Sequence, residues 1–174
     1  MNTNLFSMAF LDNPLPTPAE IVAVNTQVGG IVGKYATEVV RLAKQPGMHS
    51  IPHALSVTVR KFGFCEARKT ALFRKRRGAE VLADGFVTGC SDVALVFMTL
   101  AHAIGYPARL VDTLDAPWLL GRTFHCDRQV CGHVYVDLWV DERWWPYDPA
   151  YGFIEGRLYR RKDKTRGLVF ARGL

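Results

Sequence analysis

The sequence lacks several features that define other classes of protein. It contains no hydrophobic run near the roughly 18 residues of a membrane span, no internal repeat and no segment of low complexity. Its 4 cysteines in 174 residues are too few for a disulfide scaffold. Residues 1–10 have neither a basic region nor a small-residue cleavage site, so we expect no signal peptide. These absences lead us to expect a reduced, cytoplasmic protein that makes no contact with a membrane.

Composition and charge indicate a globular protein with an uneven surface. Hydrophobic residues make up 49% of the chain and charged residues 22%, which argues against global disorder. The net charge of +6 is concentrated in residues 60–77, with a net charge of +7, and residues 157–172, with a net charge of +6. Contact with a polyanion through these segments is one interpretation, and a solvated basic surface is the simpler one. A basic nucleic-acid-binding protein is kept as an alternative function.

Local patterns predict a helical first half and a strand-rich second half. Helices are expected over residues 18–28, 31–43, 66–76, 78–83 and 91–104. Strands are expected over residues 109–113, 133–140 and 143–148, with one further edge strand over residues 167–171. Gly105 and Pro107 should end the clearest helix, which occupies residues 91–104. The fold class is therefore α+β.

Cys90 lies in the segment Thr88-Gly-Cys-Ser-Asp92, at the start of that clearest helix. The unpaired N–H groups and the positive dipole end of a helix N-terminus favour a thiolate, which is the nucleophilic form of cysteine. The helix is apolar on nearly every face and must be buried, so we expect Cys90 where it reaches a cleft. A buried structural cysteine is the alternative. Asp92 is stabilised by the helix dipole, and alternatively it tunes the site.

His133 and Asp148 occupy the two strands of a predicted hairpin. The strand that begins at His133 alternates, with valine and leucine on one face and His133 on the other. A loop of two or four residues centred on Asp141 and Glu142 places His133 and Asp148 on one face, whereas a three-residue loop separates them. A carboxylate beside an imidazole fixes its tautomer, so Cys90, His133 and Asp148 could form a triad for acyl transfer. Taken singly, His133 is more often structural, and Asp148 is a turn residue.

Four sequence blocks resemble a known family. They are Gly89-Cys90 at the head of an apolar helix, Gly105-Tyr-Pro-Ala-Arg-Leu-Val111, His133-Val-Tyr-Val-Asp137 and Trp144-Trp-Pro-Tyr-Asp-Pro149. In this order and spacing they resemble the transglutaminase-like superfamily, and the segment around Cys90 is most similar to a prokaryotic subgroup. The resemblance covers residues 86–152. It implies that Cys90 is the nucleophile, His133 the general base and acid, and Asp148 the orienting carboxylate.

The resemblance also implies a papain-like α+β fold, and the chain length predicts a single domain over residues 1–174. Residues 1–85 would form a helical N-terminal lobe, and residues 153–174 a basic tail. Residues 86–152 would form the catalytic core, in which the helix headed by Cys90 packs on an antiparallel sheet. The expected activity is thiol-dependent acyl chemistry on an amide of a peptide or protein, including a glutamine side chain. Hydrolysis is favoured over transamidation because water is always present.

Further residues receive expectations beside the triad. Tyr135 shares the face of His133 and is expected to contact substrate. Trp118 lies in a loop between strands, where it either lines the cleft and contacts substrate or is a surface or core tryptophan. Arg109 matches a family arginine that is structural. Animal transglutaminases have a tryptophan before the cysteine that helps to hold the oxyanion, but every tryptophan here follows Cys90. The Cys90 N–H is therefore one expected oxyanion donor and the second is unassigned.

Metal and binding functions are the remaining alternatives. The sequence has no calcium-loop pattern of clustered acids, so we expect no metal dependence and no cofactor. A zinc site formed by His125, Cys126, Cys131 and His133 would use suitable ligands, but their spacing differs from that of paired zinc knuckles. A non-catalytic binding module with the same fold is the other alternative, against which the intact set of cysteine, histidine and aspartate argues.

Overall fold

The computed structural model describes residues 29–48, 51–115, 132–140, 142–149, 152–153 and 167–173. Its helices are α1 (Gly30–Ala43), α2 (Ile51–Val59), α3 (Lys69–Leu72), α4 (Gly78–Asp84) and α5 (Cys90–Ala103), with a 3-10 turn (Glu66–Arg68) before α3. Its strands are β1 (Gly63–Phe64), β2 (Phe86–Val87), β3 (Ala108–Asp115), β4 (Gly132–Val140), β5 (Arg143–Asp148), β6 (Gly152–Phe153) and β7 (Gly167–Gly173). The expected α+β class is confirmed, while the helix predicted over residues 18–28 lies outside the described residues.

Helix α5 is the centre of the fold. It packs against α1, α2 and α4 on one side and against β3 and β4 on the other. Its apolar side chains on several faces are buried, as the absence of a polar face predicts, and Phe97 and Leu100 have no exposed surface. Burying each such large side chain contributes about 1.5–3 kcal/mol. The helix ends at Gly105, where φ is +87° and only glycine fits without strain.

The second half of the chain forms an antiparallel sheet of order β6-β5-β4-β3-β7. Strand β4 is central, and it contributes Val134, Val136 and Leu138 to the hydrophobic core beneath α5. The alternation that predicted this strand thus identifies the core-facing side chains correctly. Strand β7 pairs with β3 at the sheet edge, as expected, with a register shift between Asp112 and Thr113. Strands β1 and β2 form a separate parallel pair that leads the chain into α5.

The helix predicted over residues 66–76 is wrong. The chain forms only the 3-10 turn and the single turn of α3, and then reverses at Arg74, whose φ is +54°. A longer helix would bury no apolar face there, since Phe73 remains 52% exposed. It would also place three consecutive basic residues, Arg74, Lys75 and Arg76, on its last turn. The buried side chain of Arg76 instead binds acidic residues outside this segment.

Helix α2 was not predicted, because its sequence is rich in β-branched residues and has a proline at its second position. Pro52 occupies the first turn, where its missing N–H removes no helical hydrogen bond. Ala54, Leu55 and Val59 are buried against the core, so tertiary packing overrides the local preference. Within the residues that the structure describes, every helix is too short or too polar to cross a membrane.

A close contact between α4 and α5 gives a test of this packing. A Cβ added at Gly78 would lie 1.9 Å from Thr99 Oγ1 and 2.8 Å from Thr99 Cβ, so one helix must shift. We expect Gly78→Ala to lower the free energy of unfolding by about 1–3 kcal/mol, measured by urea denaturation. Thr99→Ala removes Oγ1 and Cγ2 but keeps the Cβ at 2.8 Å, so the double variant Gly78→Ala/Thr99→Ala should recover only part of that loss.

Gly63→Ala is the matched control, since a Cβ at Gly63 meets nothing within 4 Å. It should change the free energy of unfolding by less than about 1 kcal/mol. Equal stabilities for the two single variants would contradict the packing of α4 on α5.

Candidate active site

Cys90 is the first residue of α5, at the end of a short extended approach. Gly89, before it, has an extended backbone with φ 170° and ψ −175°. The Cys90 side chain is half-buried, and its backbone N–H belongs to the first turn, which the helix does not use. A Cβ placed on Gly89 would meet nothing within 4 Å, so the chain is not crowded there. The thiol therefore stands at the N-terminus of a buried helix, as the sequence predicts.

The hairpin of β4 and β5 brings His133 to Asp148. Val140 pairs with Arg143, which leaves the two-residue loop that the parity argument requires. His133 and Asp148 consequently share a face as diagonal neighbours, and His133 Nε2 lies 2.5 Å from Asp148 Oδ2. Both side chains are buried, and that of Asp148 is only 1% exposed. The carboxylate thereby fixes the orientation of the imidazole ring.

The second contact of the imidazole is with the thiol. The Cys90 side chain hydrogen-bonds to the His133 ring and also interacts with the backbone of Val134. Since Asp148 engages Nε2, the nitrogen that remains for the thiol is Nδ1. The structure thus brings all three predicted triad residues together, with the ring of His133 between the other two side chains.

The two contacts shift the pKa values of both partners in the direction of an ion pair. Burial by itself lowers the pKa of His133, but hydrogen bonds and charge from Asp148 and Cys90 outweigh burial and raise the pKa to about 9. Burial raises the pKa of Cys90, yet the hydrogen bond and charge of His133 bring that pKa below its ordinary value. The arrangement favours the thiolate form of Cys90 beside the imidazolium form of His133.

A buried ion-pair network holds the turn before Cys90. Asp92 Oδ2 accepts hydrogen bonds from the backbone N–H of Thr88 at 2.8 Å and from its hydroxyl at 2.7 Å. The same oxygen lies 2.5 Å from an Arg76 guanidinium nitrogen, and the other terminal nitrogen donates to Asp84 at 2.7 Å. Arg76 also lies over the Phe86 ring, 4.6 Å from its centroid. Five residues, three of them on α4, β2 and α5 and two in the loops between elements, therefore hold the backbone that carries the thiol.

Sequence reasoning identified Asp92 but not Arg76. Arg76 is one of eight basic residues in residues 60–77, and nothing in that run distinguishes it. A signal was nonetheless present, because an acid in the first turn of an apolar helix needs a cation when it is buried. Only the fold shows which cation supplies the charge.

Arg109 is part of the sheet. Its guanidinium donates to Asp137 Oδ2 from two nitrogens, at 2.9 and 2.7 Å, and the two residues are register partners on β3 and β4. The ring of Trp144 lies 4.1 Å below the guanidinium, and Trp139 packs edge-on against Trp144. This buried pair joins the strands, which agrees with the structural role expected for Arg109.

The remaining expectations involve residues beside the triad or outside the description. Tyr135 lies on the face of His133 and is 6% exposed, and its contact with substrate stays a prediction. Trp118 lies outside the described residues, as do His125, Cys126 and Cys131 of the alternative zinc site. Among the described residues, no group of three or more histidine, cysteine and acidic side chains is arranged to hold a metal ion.

Comparison with solved structures finds proteins that are similar in fold. A protein from Cytophaga hutchinsonii, provisionally described as a cysteine protease, is 12% identical with a TM-score of 0.54, over 82% of this chain and 42% of that one. A TGase is 18% identical with a TM-score of 0.46, over 91% and 39% of the two chains. A provisionally described protease from Parabacteroides distasonis is 15% identical with a TM-score of 0.47, over 92% and 30%. This chain spans less than half the length of each.

A family model described as the transglutaminase-like superfamily matches residues 33–149. No curated protein matches the sequence. The match begins in α1, far upstream of residue 86, so it covers the described helices together with strands β3, β4 and β5 of the sheet. The match also includes Cys90 and the hairpin residues His133 and Asp148. The chain belongs to the transglutaminase-like superfamily.

Proposed function

We propose that this protein performs thiol-dependent acyl chemistry on an amide of a peptide or protein. Cys90 is the nucleophile, His133 transfers protons, and Asp148 orients the imidazole. One observation carries the proposal: the buried ring of His133 hydrogen-bonds to the Cys90 thiol on one side and to the Asp148 carboxylate on the other. A nucleophile, a base and an orienting group within hydrogen-bond reach are what acyl transfer requires.

The first half of the reaction forms a thioester. The Cys90 thiolate attacks the amide carbonyl carbon, and the carbonyl electron pair moves to oxygen. The imidazolium of His133 then gives its proton to the departing nitrogen, the C–N bond breaks, and an amine or ammonia leaves. The raised pKa of His133 keeps the ring protonated at neutral pH, so the acid is ready before substrate binds. The acyl group remains on sulfur.

The second half releases the acyl group. The ring, now neutral, takes a proton from water, whose oxygen attacks the thioester carbon. The C–S bond breaks and regenerates the thiolate beside the imidazolium. An acceptor amine in place of water would give transamidation. We propose hydrolysis as the main reaction because water needs no binding site of its own.

The helix N-terminus supplies charge stabilisation. The backbone N–H of Cys90 belongs to the first turn of α5 and has no acceptor four residues upstream within the helix. It can donate a hydrogen bond to the oxyanion that forms on the carbonyl oxygen. The positive end of the helix dipole also stabilises this negative charge. The thiolate and the oxyanion donor thus come from the same residue.

Asp92 and Arg76 act as positioning residues in this proposal. Their ion pair, together with the two bonds to Thr88, sets the turn from which the Cys90 side chain and N–H both project. Because a displacement of about 1 Å can cost two orders of magnitude in rate, a rigid turn has direct value for catalysis. The bonds from Asp92 go to the backbone N–H and the hydroxyl of Thr88, so the effect of the network on Cys90 passes through the backbone.

The thiolate–imidazolium pair predicts selective alkylation of Cys90 by limiting iodoacetamide, mapped by peptide mass spectrometry between pH 5 and 9. Cys90 should react well at pH 6.5, since its pKa is lowered. His133→Ala removes the hydrogen bond and the positive charge, and we expect it to slow Cys90 alkylation at pH 6.5 by at least about tenfold.

Cys65 provides the reference within each sample, because it is also a half-buried free thiol. Its alkylation should be the same in wild type and His133→Ala. A Cys90 that reacts no faster than Cys65 at pH 6.5, in a folded protein, would remove the basis for the proposal. Ammonia release from glutamine peptides, with and without an added primary amine, then separates hydrolysis from transamidation.

The positioning network predicts a contrast between two carboxylates that bind the same arginine. Asp92 is 2% exposed and Asp84 is 42% exposed. Asp92→Asn should lower the free energy of unfolding by about 3 kcal/mol, because the buried Arg76 then keeps only its ion pair with the exposed Asp84. Asp84→Asn should cost less than about 1 kcal/mol. Urea denaturation measures both.

A role in positioning adds a second readout. In the folded state, Asp92→Asn should also slow Cys90 alkylation at pH 6.5, whereas Asp84→Asn should leave it unchanged. An unchanged alkylation profile in folded Asp92→Asn would show that the network stabilises the fold but does not position Cys90.

A further inference from the structure

The segment of residues 60–77, here called the basic lobe, forms a charged surface that the proposed reaction does not use. It contains eight basic residues and one acid. The side chains of Lys61, Lys69 and Arg74 form ion pairs. Further cations at positions 60, 68, 75 and 77 are exposed. The lobe therefore presents positive charge to solvent after its ion pairs are counted.

Two large apolar side chains are exposed within this charge. Phe64 is 58% exposed and Phe73 is 52% exposed, and they are the exposed large hydrophobic residues of the described chain. Lys69 lies over the Phe64 ring at 5.5 Å from the centroid, and Arg74 lies over the Phe73 ring at 5.4 Å. Exposed aromatic rings surrounded by cations are typical of a binding surface for a partner with both negative and apolar groups.

Three contacts place the basic lobe beside the triad. Strand β1 pairs with β2, so Phe64 lies against Val87, three residues before Cys90. Arg76 bonds to Asp92 on the far side of the same turn. Arg60 Nε donates to the carbonyl oxygen of Pro149 at 3.3 Å, and Pro149 follows Asp148. The lobe thus borders the two chain segments that supply Cys90 and Asp148.

We propose that the basic lobe docks an acidic peptide segment of the substrate and presents the adjoining amide to Cys90. This inference rests on the proposed function, because it assigns the surface to the substrate of that reaction. Aspartate and glutamate side chains would pair with the exposed cations, and apolar side chains between them would cover Phe64 and Phe73. Charge complementarity would speed encounter and select substrates by their acidic flanks.

The contacts favour an acidic peptide over a nucleic acid. Base stacking on Phe64 and Phe73 needs open ring faces, and each ring already has a cation on one face. A surface at the edge of a thiol site gains most from a partner that carries the reactive amide. Binding to an oligonucleotide is therefore an alternative outcome of the test.

Docking can be measured without catalysis in the Cys90→Ser variant. The probes are a fluorescein-labelled decapeptide of glutamate, phenylalanine and alanine, its counterpart with glutamine in place of glutamate, and a ten-residue oligothymidylate. Fluorescence anisotropy should show the acidic peptide binding at least about tenfold more tightly than the neutral one at low salt, with affinity falling as NaCl rises. Lys75→Glu/Arg77→Glu should weaken the binding of the acidic peptide by about tenfold or more.

Lys34→Glu/Lys44→Glu is the matched control, since it reverses two exposed charges on and after α1, outside the lobe. It should leave acidic-peptide affinity within about threefold of the Cys90→Ser parent. Equal binding of acidic and neutral peptides, equal losses in the two charge-reversal variants, or tighter binding of the oligothymidylate would each overturn the proposal. Cys90 alkylation in Lys75→Glu/Arg77→Glu, with the thiol restored, reports separately on the proposed function.

Discussion

The contact between the Asp148 carboxylate and the His133 ring is the interaction on which the site depends. A carboxylate that is 1% exposed is stable only when it is paired, because an isolated buried charge costs several kcal/mol. The pairing requires that both side chains share one face of the hairpin, and a slip of one residue would separate them. The two-residue loop between Val140 and Arg143 therefore fixes the strand register, and that register places His133 beside Asp148.

Helix α5 links this hairpin to the thiol. Its apolar body packs between the other helices and the sheet, which fixes the position of its N-terminus relative to β4. The network of Asp92, Arg76 and Thr88 then sets the direction of the turn that carries Cys90. Core packing sets the distance between the α5 N-terminus and β4, and the buried polar network sets the direction in which Cys90 projects. The same residues therefore support both stability and the proposed reaction.

The sequence predicts those parts of the structure that local patterns determine. The apolar helix, its end at Gly105, and the alternating strand at His133 follow from periodicity and turn chemistry, and the structure confirms them. The break at Arg74 and the burial of Arg76 depend on acids that lie elsewhere in the fold. Helix α2 forms against local preference because its side chains fill the core. Tertiary contacts of this kind leave no local signal.

The protonation state of His133 tests the central claim most directly. NMR of protein labelled with ¹⁵N-histidine resolves the 5 histidine rings, and His133→Ala assigns the relevant signals. The account predicts that both ring nitrogens of His133 carry protons at pH 7.5, that the ring titrates near pH 9, and that Cys90→Ser lowers this pKa. A His133 ring that is neutral at pH 7.5 and titrates at or below its ordinary pKa of about 6.5 would contradict the thiolate–imidazolium pair.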